Sequence, residues 1–176
     1  MHFWKHLHTV NQHRRLVRKY CFRLGLYWQG LTHDLSKYSP MEFWAGVRYF
    51  QGDHSPNDAQ RRANGYSDSW MHHKGRNRHH FEYWTDYGTN GEGIIGIEMP
   101  DKYLAEMFCD RLAASKVYRG KDYSDGDPYA FYMRGKGRRL MIHPKTEEKI
   151  GEILLILKDE GEDAAFAYVR REILKK

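Results

Sequence analysis

The stretch DKYLAEMFCDRLAASKVY, residues 101–118, decides the fold class. Leu104, Met107, Phe108, Leu112 and Val117 fall mostly at the spacing of one helix face, so the segment reads as a strong amphipathic helix. Asp110 lies in its middle, between apolar neighbours Phe108, Cys109, Leu112 and Ala113. A lone carboxylate in such company is costly to bury unless something positive neutralises it. One helix thus carries both a core face and the first sign of chemistry.

The same period runs outward in both directions. Residues 3–24 form a helix through Trp4, Leu7, Val10, Leu16, Val17, Tyr20, Cys21 and Leu24, ended by Gly25. A short helical or irregular segment spans 26–35. Ser39 caps a helix that begins at Pro40 and runs to Gly52. A turn at 53–57 leads to a polar helix ending at Asn64, and Ser67 caps the next segment. Residues 87–100 hold four glycines and read as a loop with a short strand at 94–97, in the position of a lid. The string YRGKDYSDGDP breaks the chain, Thr146 opens a helix to Leu157, and 162–175 form the last one. With no set of alternating strands, the expected fold is an all-α bundle in a single domain, its site core at about 3–118 and C-terminal helices at about 144–175.

A chain of 176 residues with 40% hydrophobic content is long enough to bury a core. No run reaches the roughly 18 apolar residues of a membrane span, and the N-terminus lacks the pattern of a signal peptide. Cys21 and Cys109 read as two buried thiols in a reducing cytoplasm, with no membrane partner expected. The net charge of +6 favours an anionic partner, a phosphorylated small molecule or nucleic acid. The C-terminal helices offer a homodimer surface.

The most informative short string is GLTHDLSKYSP, residues 30–40. Adjacent His33 and Asp34 offer a nitrogen and an oxygen ligand, but successive helical residues diverge by about 100°, so both reach one ion only at a helix end or distorted turn. Lys37, three residues on, stands close enough to meet an anion there. With His13 and Asp110 they make a mixed nitrogen and oxygen shell, suited to Fe, Mn, Co, Ni or Zn more than to Ca or Mg. WMHHKGRNRHHFEYW, residues 70–84, adds His72, His73, His79 and His80 between Lys74, Arg76 and Arg78. The pairs are seven apart, so a continuous helix would place His72 with His79 and His73 with His80, unless Gly75 and Asn77 interrupt it. Glu82 reads as a surface partner of Arg78, and Glu106 as a support for the site or a partner of Arg111. Isolated histidines His2, His6, His8, His54 and His143 take a structural role by default.

The order His13, then His33-Asp34 with Lys37, then Asp110 in a C-D-R-L string resembles the HD superfamily of metal-dependent phosphohydrolases. The longer strings HDLSKYSPMEF and HHKGRNRHH resemble an uncharacterised bacterial and phage branch of it. The likeness spans residues 13–116, with a shorter His13–His33 interval than is usual. It implies an HD-like helical bundle holding one or two divalent transition-metal ions, Asp34 bridging them and one member of each histidine pair completing the second site. Metal-assisted hydrolysis of a nucleotide or small phosphate ester follows, with Asp34 and Lys37 catalytic and Lys37, Lys74, Arg76, Arg78 and Arg111 holding phosphate. The cations beside the imidazoles would keep them neutral for metal. Two other readings stay open: an HD-type di-iron oxygenase, and a nucleic-acid-binding module whose metal is structural.

Overall fold

The computed structural model describes residues 2–137 and 141–176. Helix α1 (Phe3–Arg23) and helix α6 (Asp101–Arg119) pack along one another and form the centre of an all-α bundle. Leu104, Ala105, Phe108, Cys109, Leu112 and Ala113 of α6 are sealed from solvent, as the apolar face at 101–118 requires. Each fully buried Leu or Phe contributes about 1.5–3 kcal/mol.

Between these two helices the chain builds a layer of short elements. Helix α2 (Tyr27–Thr32) folds back on α1, a 3-10 turn spans Leu35–Tyr38, and α3 (Pro40–Arg48) follows. Helix α4 (Pro56–Asn64) precedes α5 (Asp68–Lys74). Two of these starts are capped as the sequence suggests, Ser39 Oγ accepting from Glu42 N and Ser67 Oγ from Trp70 N, and Ser55 Oγ caps a third by accepting from Asn57 N. Helix α3 stops at Arg48, before the expected Gly52.

Strands β1 (Thr85–Tyr87) and β2 (Ile94–Gly96) pair antiparallel as a small hairpin, Thr85 opposite Gly96. That hairpin corrects the lid expectation. None of residues 87–100 borders the main cavity, and Gly96 packs against the backbone of Met141 to His143, where a Cβ would lie 2.4 Å from the Met141 carbonyl. The sequence also missed helix α7 (Asp127–Gly135), which starts inside the expected break. Pro128 lies in its first turn, where a missing N–H costs nothing.

Helix α8 (Pro144–Glu160), begun two residues before the expected Thr146 and capped by His143, packs on α6 and α7. Helix α9 (Glu162–Tyr168) continues as a π turn over Val169–Ile173. Ile150, Ile153, Leu154, Leu157, Phe166 and Val169 join the same core as α1 and α6. Among the described residues no helix is long and apolar enough to cross a membrane.

Candidate metal centre

The site starts at a break in the backbone. Helix α2 ends at Thr32, His33 turns extended, and Asp34 adopts φ +54°, left-handed. Few non-glycine residues take that conformation, Asn and Asp most readily, and it persists only where surroundings enforce it. Arg14 enforces it here, donating through Nε to the His33 carbonyl at 2.8 Å and through Nη2 to that of Leu31 at 3.2 Å. The reversal turns two consecutive side chains onto one point.

Around that point the first ligand set assembles from three elements. His13 of α1 sets Nε2 3.5 Å from Asp34 Oδ2, 3.0 Å from Asp110 Oδ1 and 3.3 Å from His33 Nε2. His33 Nε2 lies 3.4 Å from Asp34 Oδ2 and 3.6 Å from Asp110 Oδ1.

The second set uses the other oxygen of Asp34. Its Oδ1 lies 3.3 Å from His73 Nε2 and 3.5 Å from His79 Nε2, with His80 in the same group. Helix α5 ends at Lys74, so the sevenfold spacing does not apply, and residues 75–80 fold back over the helix end. Asn77 holds that return, donating from Nδ2 to Ser36 Oγ at 2.8 Å and to the His73 carbonyl at 2.8 Å. His79 and His80 then lie in tilted contact at 4.1 Å between ring centres, and Trp70 meets His80 edge-on at 4.8 Å.

Two buried carboxylates orient the imidazoles from behind. Glu106 Oε1 accepts from His33 Nδ1 at 2.9 Å and His79 Nδ1 at 3.2 Å. Glu42 accepts from His72 Nδ1 at 2.6 Å and from His73 Nδ1 at 2.7 Å. With the Nδ1 protons so committed, the Nε2 lone pairs of His33, His73 and His79 face Asp34.

These residues fit metal. An ion about 2.1 Å from each ligand atom would hold neighbouring ligand atoms about 3.0 Å apart in an octahedral shell and about 3.4 Å in a tetrahedral one. The separations here, 3.0 to 3.6 Å, span those values. Asp34 Oδ1, His79 Nε2 and His80 Nε2 are buried with no hydrogen-bond partner, a costly state unless a cation completes them. Burial holds the His80 pKa well below the ordinary imidazole value, with His79 and His73 adding to the effect. Burial, then Lys37, lowers that of His73, so both rings are in the neutral form that metal requires. At His33 burial opposes charge, yet Asp34, Asp110 and Glu106 outweigh it and raise the pKa well above ordinary. Three carboxylates in so small a volume demand positive charge. The buried His, Asp and Glu clusters are therefore able to hold a metal ion.

The centre opens into a cavity of about 820 Å³. His6, Val10 and His13 border it from α1, Trp70, Phe81 and Glu82 from another side, and Tyr118, Phe131 and Arg134 from a third. Of the expected phosphate-binding cations, Lys37 and Arg111 reach this cavity, and Lys37 Nζ lies 3.4 Å from Asp34 Oδ2. Lys74, Arg76 and Arg78 do not border it, which corrects the picture of them above the metals. Arg76 bonds the His72 carbonyl at 3.3 Å, and Arg78 donates to the Tyr103 hydroxyl at 3.1 Å. The cation that most lowers the His73 pKa is Lys37. His72 is likewise turned away to Glu42, so the first pair contributes only His73 to the clusters while the second contributes both members.

Sequence reasoning missed Glu42 and Ser36 altogether, named Asn77 only as a helix interruption, and left Glu106 between two roles. His6, given a structural role by default, is a buried ring packed against Phe43 and Gly46 at the edge of the cavity. No curated protein and no solved structure matches the chain. Residues 2–156, most of the sequence, match a family model. The chain belongs to DUF5662, a family of unknown function.

Proposed function

We propose that the protein is a dinuclear metal-dependent phosphohydrolase acting on a nucleotide or small phosphate ester. One observation carries this reading: Asp34 turns its two oxygens to two separate ligand sets at the wall of a cavity that Lys37 and Arg111 also border. When bound, two divalent cations supply Lewis acidity and activate water near neutral pH.

The chain's own residues do the rest. Glu42 and Glu106 hold three imidazoles with Nε2 inward, and Asp34 spans the two sets. Lys37 and Arg111 meet phosphate oxygens, the guanidinium offering paired donors. Val10, Phe81 and Met107 give the cavity apolar wall, which excludes water and strengthens those contacts. The resemblance at His13, His33, Asp34, Lys37 and Asp110 supports the same chemistry. Cys21 and Cys109 are free and buried, which fits a cytoplasmic protein.

Five imidazoles against two carboxylates is also a donor set for a pair of irons that activate dioxygen. Metal analysis and turnover separate the two. Purified protein should carry two transition-metal ions per chain and hydrolyse aryl or nucleoside phosphates with added Mn or Co. Two irons with a visible absorption band and no phosphate release would favour oxygen chemistry and overturn the hydrolase.

A further inference from the structure

Away from the metal centre, one face of the molecule is apolar, exposed and free of carboxylates. Along α1, Trp4, His8, Asn11, Arg15, Arg18 and Phe22 follow three- and four-residue steps on the side opposite the buried face. The chain from α2 to α3 runs back beside this row. Phe22 meets Tyr27 at 5.2 Å, Arg14 reaches the Leu31 carbonyl, the Tyr38 hydroxyl donates to Asn11, and Phe3 links Trp4 to Trp44. The second row exposes Trp28, Leu31, Leu35, Met41 and Trp44. Trp4 is 77% and Trp28 74% exposed, so the largest apolar side chains stand outermost. Helix α1 makes the face about 30 Å long.

Charge on this face has one sign. The first fifty residues contain only two carboxylates, Asp34 and Glu42, and both are buried in the metal centre. Lys5, Arg15, Arg18 and Lys19 are exposed and make no ion pair among the described residues. Carboxylates at the rim are already engaged, Asp163 with Arg23 and Asp53 with His54.

We infer that this face docks on an anionic lipid surface, with Trp4, Trp28 and Trp44 at headgroup level and the cations against lipid phosphate. A second copy fits poorly, because a two-fold contact would set Arg15 and Arg18 of both chains together with no carboxylate between them. Single-stranded nucleic acid fits less well than lipid: bases can stack on Trp4, Trp28 and Trp44, but they leave the exposed aliphatic side chains Leu31, Leu35 and Met41 without an apolar partner, which acyl chains supply. Apolar side chains rimmed by Lys and Arg, with tryptophan at the boundary, are the features of interfacial membrane binding. The expectation of no membrane partner rested on the lack of a spanning segment, which does not bear on peripheral docking.

The test is flotation of the metal-loaded full chain with vesicles of phosphatidylcholine alone and of phosphatidylcholine with about one-third phosphatidylglycerol. The protein floats with the anionic vesicles only, its tryptophan emission shifts to the blue, and binding falls with added salt. The pair Trp28→Ser and Leu31→Ser lowers partition about tenfold or more while metal content and circular dichroism stay unchanged. Failure to float with either vesicle overturns the inference. So does release from vesicles by single-stranded DNA with tight DNA binding, or a dimer in solution that Trp28→Ser dissociates. None of these outcomes touches the metal-centre reading, which metal content reports separately.

Discussion

Glu106 Oε1 accepts from His33 Nδ1 at 2.9 Å, and the same oxygen also accepts from His79 Nδ1 at 3.2 Å. His33 belongs to one ligand set and His79 to the other, and their rings lie 4.3 Å apart. One carboxylate therefore orients an imidazole in each set. Glu106→Gln keeps the shape and an accepting oxygen but removes the negative charge that both Nδ1–H groups meet. It should weaken metal binding about 10- to 100-fold at both positions together, as titration calorimetry would show. A loss confined to one position would separate the two sets.

The members of the first histidine pair should behave differently. His73→Ala removes a ligand atom 3.3 Å from Asp34 Oδ1 and should leave the protein about one ion short. His72→Ala removes only a partner of Glu42 and should leave stoichiometry unchanged. Metal analysis of the two purified variants decides it, and equal losses would contradict the geometry.

How much of this was legible follows from where each signal is local. His33-Asp34 with Lys37 announced itself because three chemistry-bearing residues share five positions, and the requirement for a distorted turn is met by Asp34 at φ +54°. Asp110 was legible from its apolar neighbours. Glu42 was not, because Ser39-Pro-Met-Glu42 reads as a helix start with an acidic third residue, a complete local explanation. Its pairing with His72 and His73 is a contact between α3 and α5 that no short pattern encodes. The inward turn of His80 depends on Asn77 reaching Ser36, again a distant partner. Lys74, Arg76 and Arg78 misled by proximity in sequence, since a helix ending at Lys74 sends them outward.

Gly46 of α3 sits directly under His6 of α1, where an added Cβ would lie 2.1 Å from His6 Nε2. Gly46→Ala must displace the ring or the helix, and should destabilise the protein by about 1–3 kcal/mol. Adding His6→Ala to that variant should recover part of the loss. Thermal melting of the single and double variants measures it; an unchanged Gly46→Ala melting temperature would show that the two helices separate freely.

His6 also sets a pH dependence. Burial, with Lys37 adding to it, lowers its pKa from 6.5 to about 4. Between those values the unfolded chain binds the proton and the folded chain does not, so stability falls as pH drops from 6.5 towards 4. The loss from this ring approaches about 3 kcal/mol. In chelator-treated protein, the stability difference between wild type and His6→Asn should therefore shrink or reverse across that window. Denaturant melts at several pH values would reveal a constant difference if the ring titrates normally.

The central claim is that Asp34 joins two ligand sets. Asp34→Asn tests it most directly, because asparagine tolerates the left-handed backbone while losing the charge. Metal content of the wild type and this variant, purified side by side, is the measurement. The account predicts two transition-metal ions per chain in the wild type and fewer than one in Asp34→Asn, with circular dichroism unchanged. An Asp34→Asn protein that retains its full metal content would contradict it.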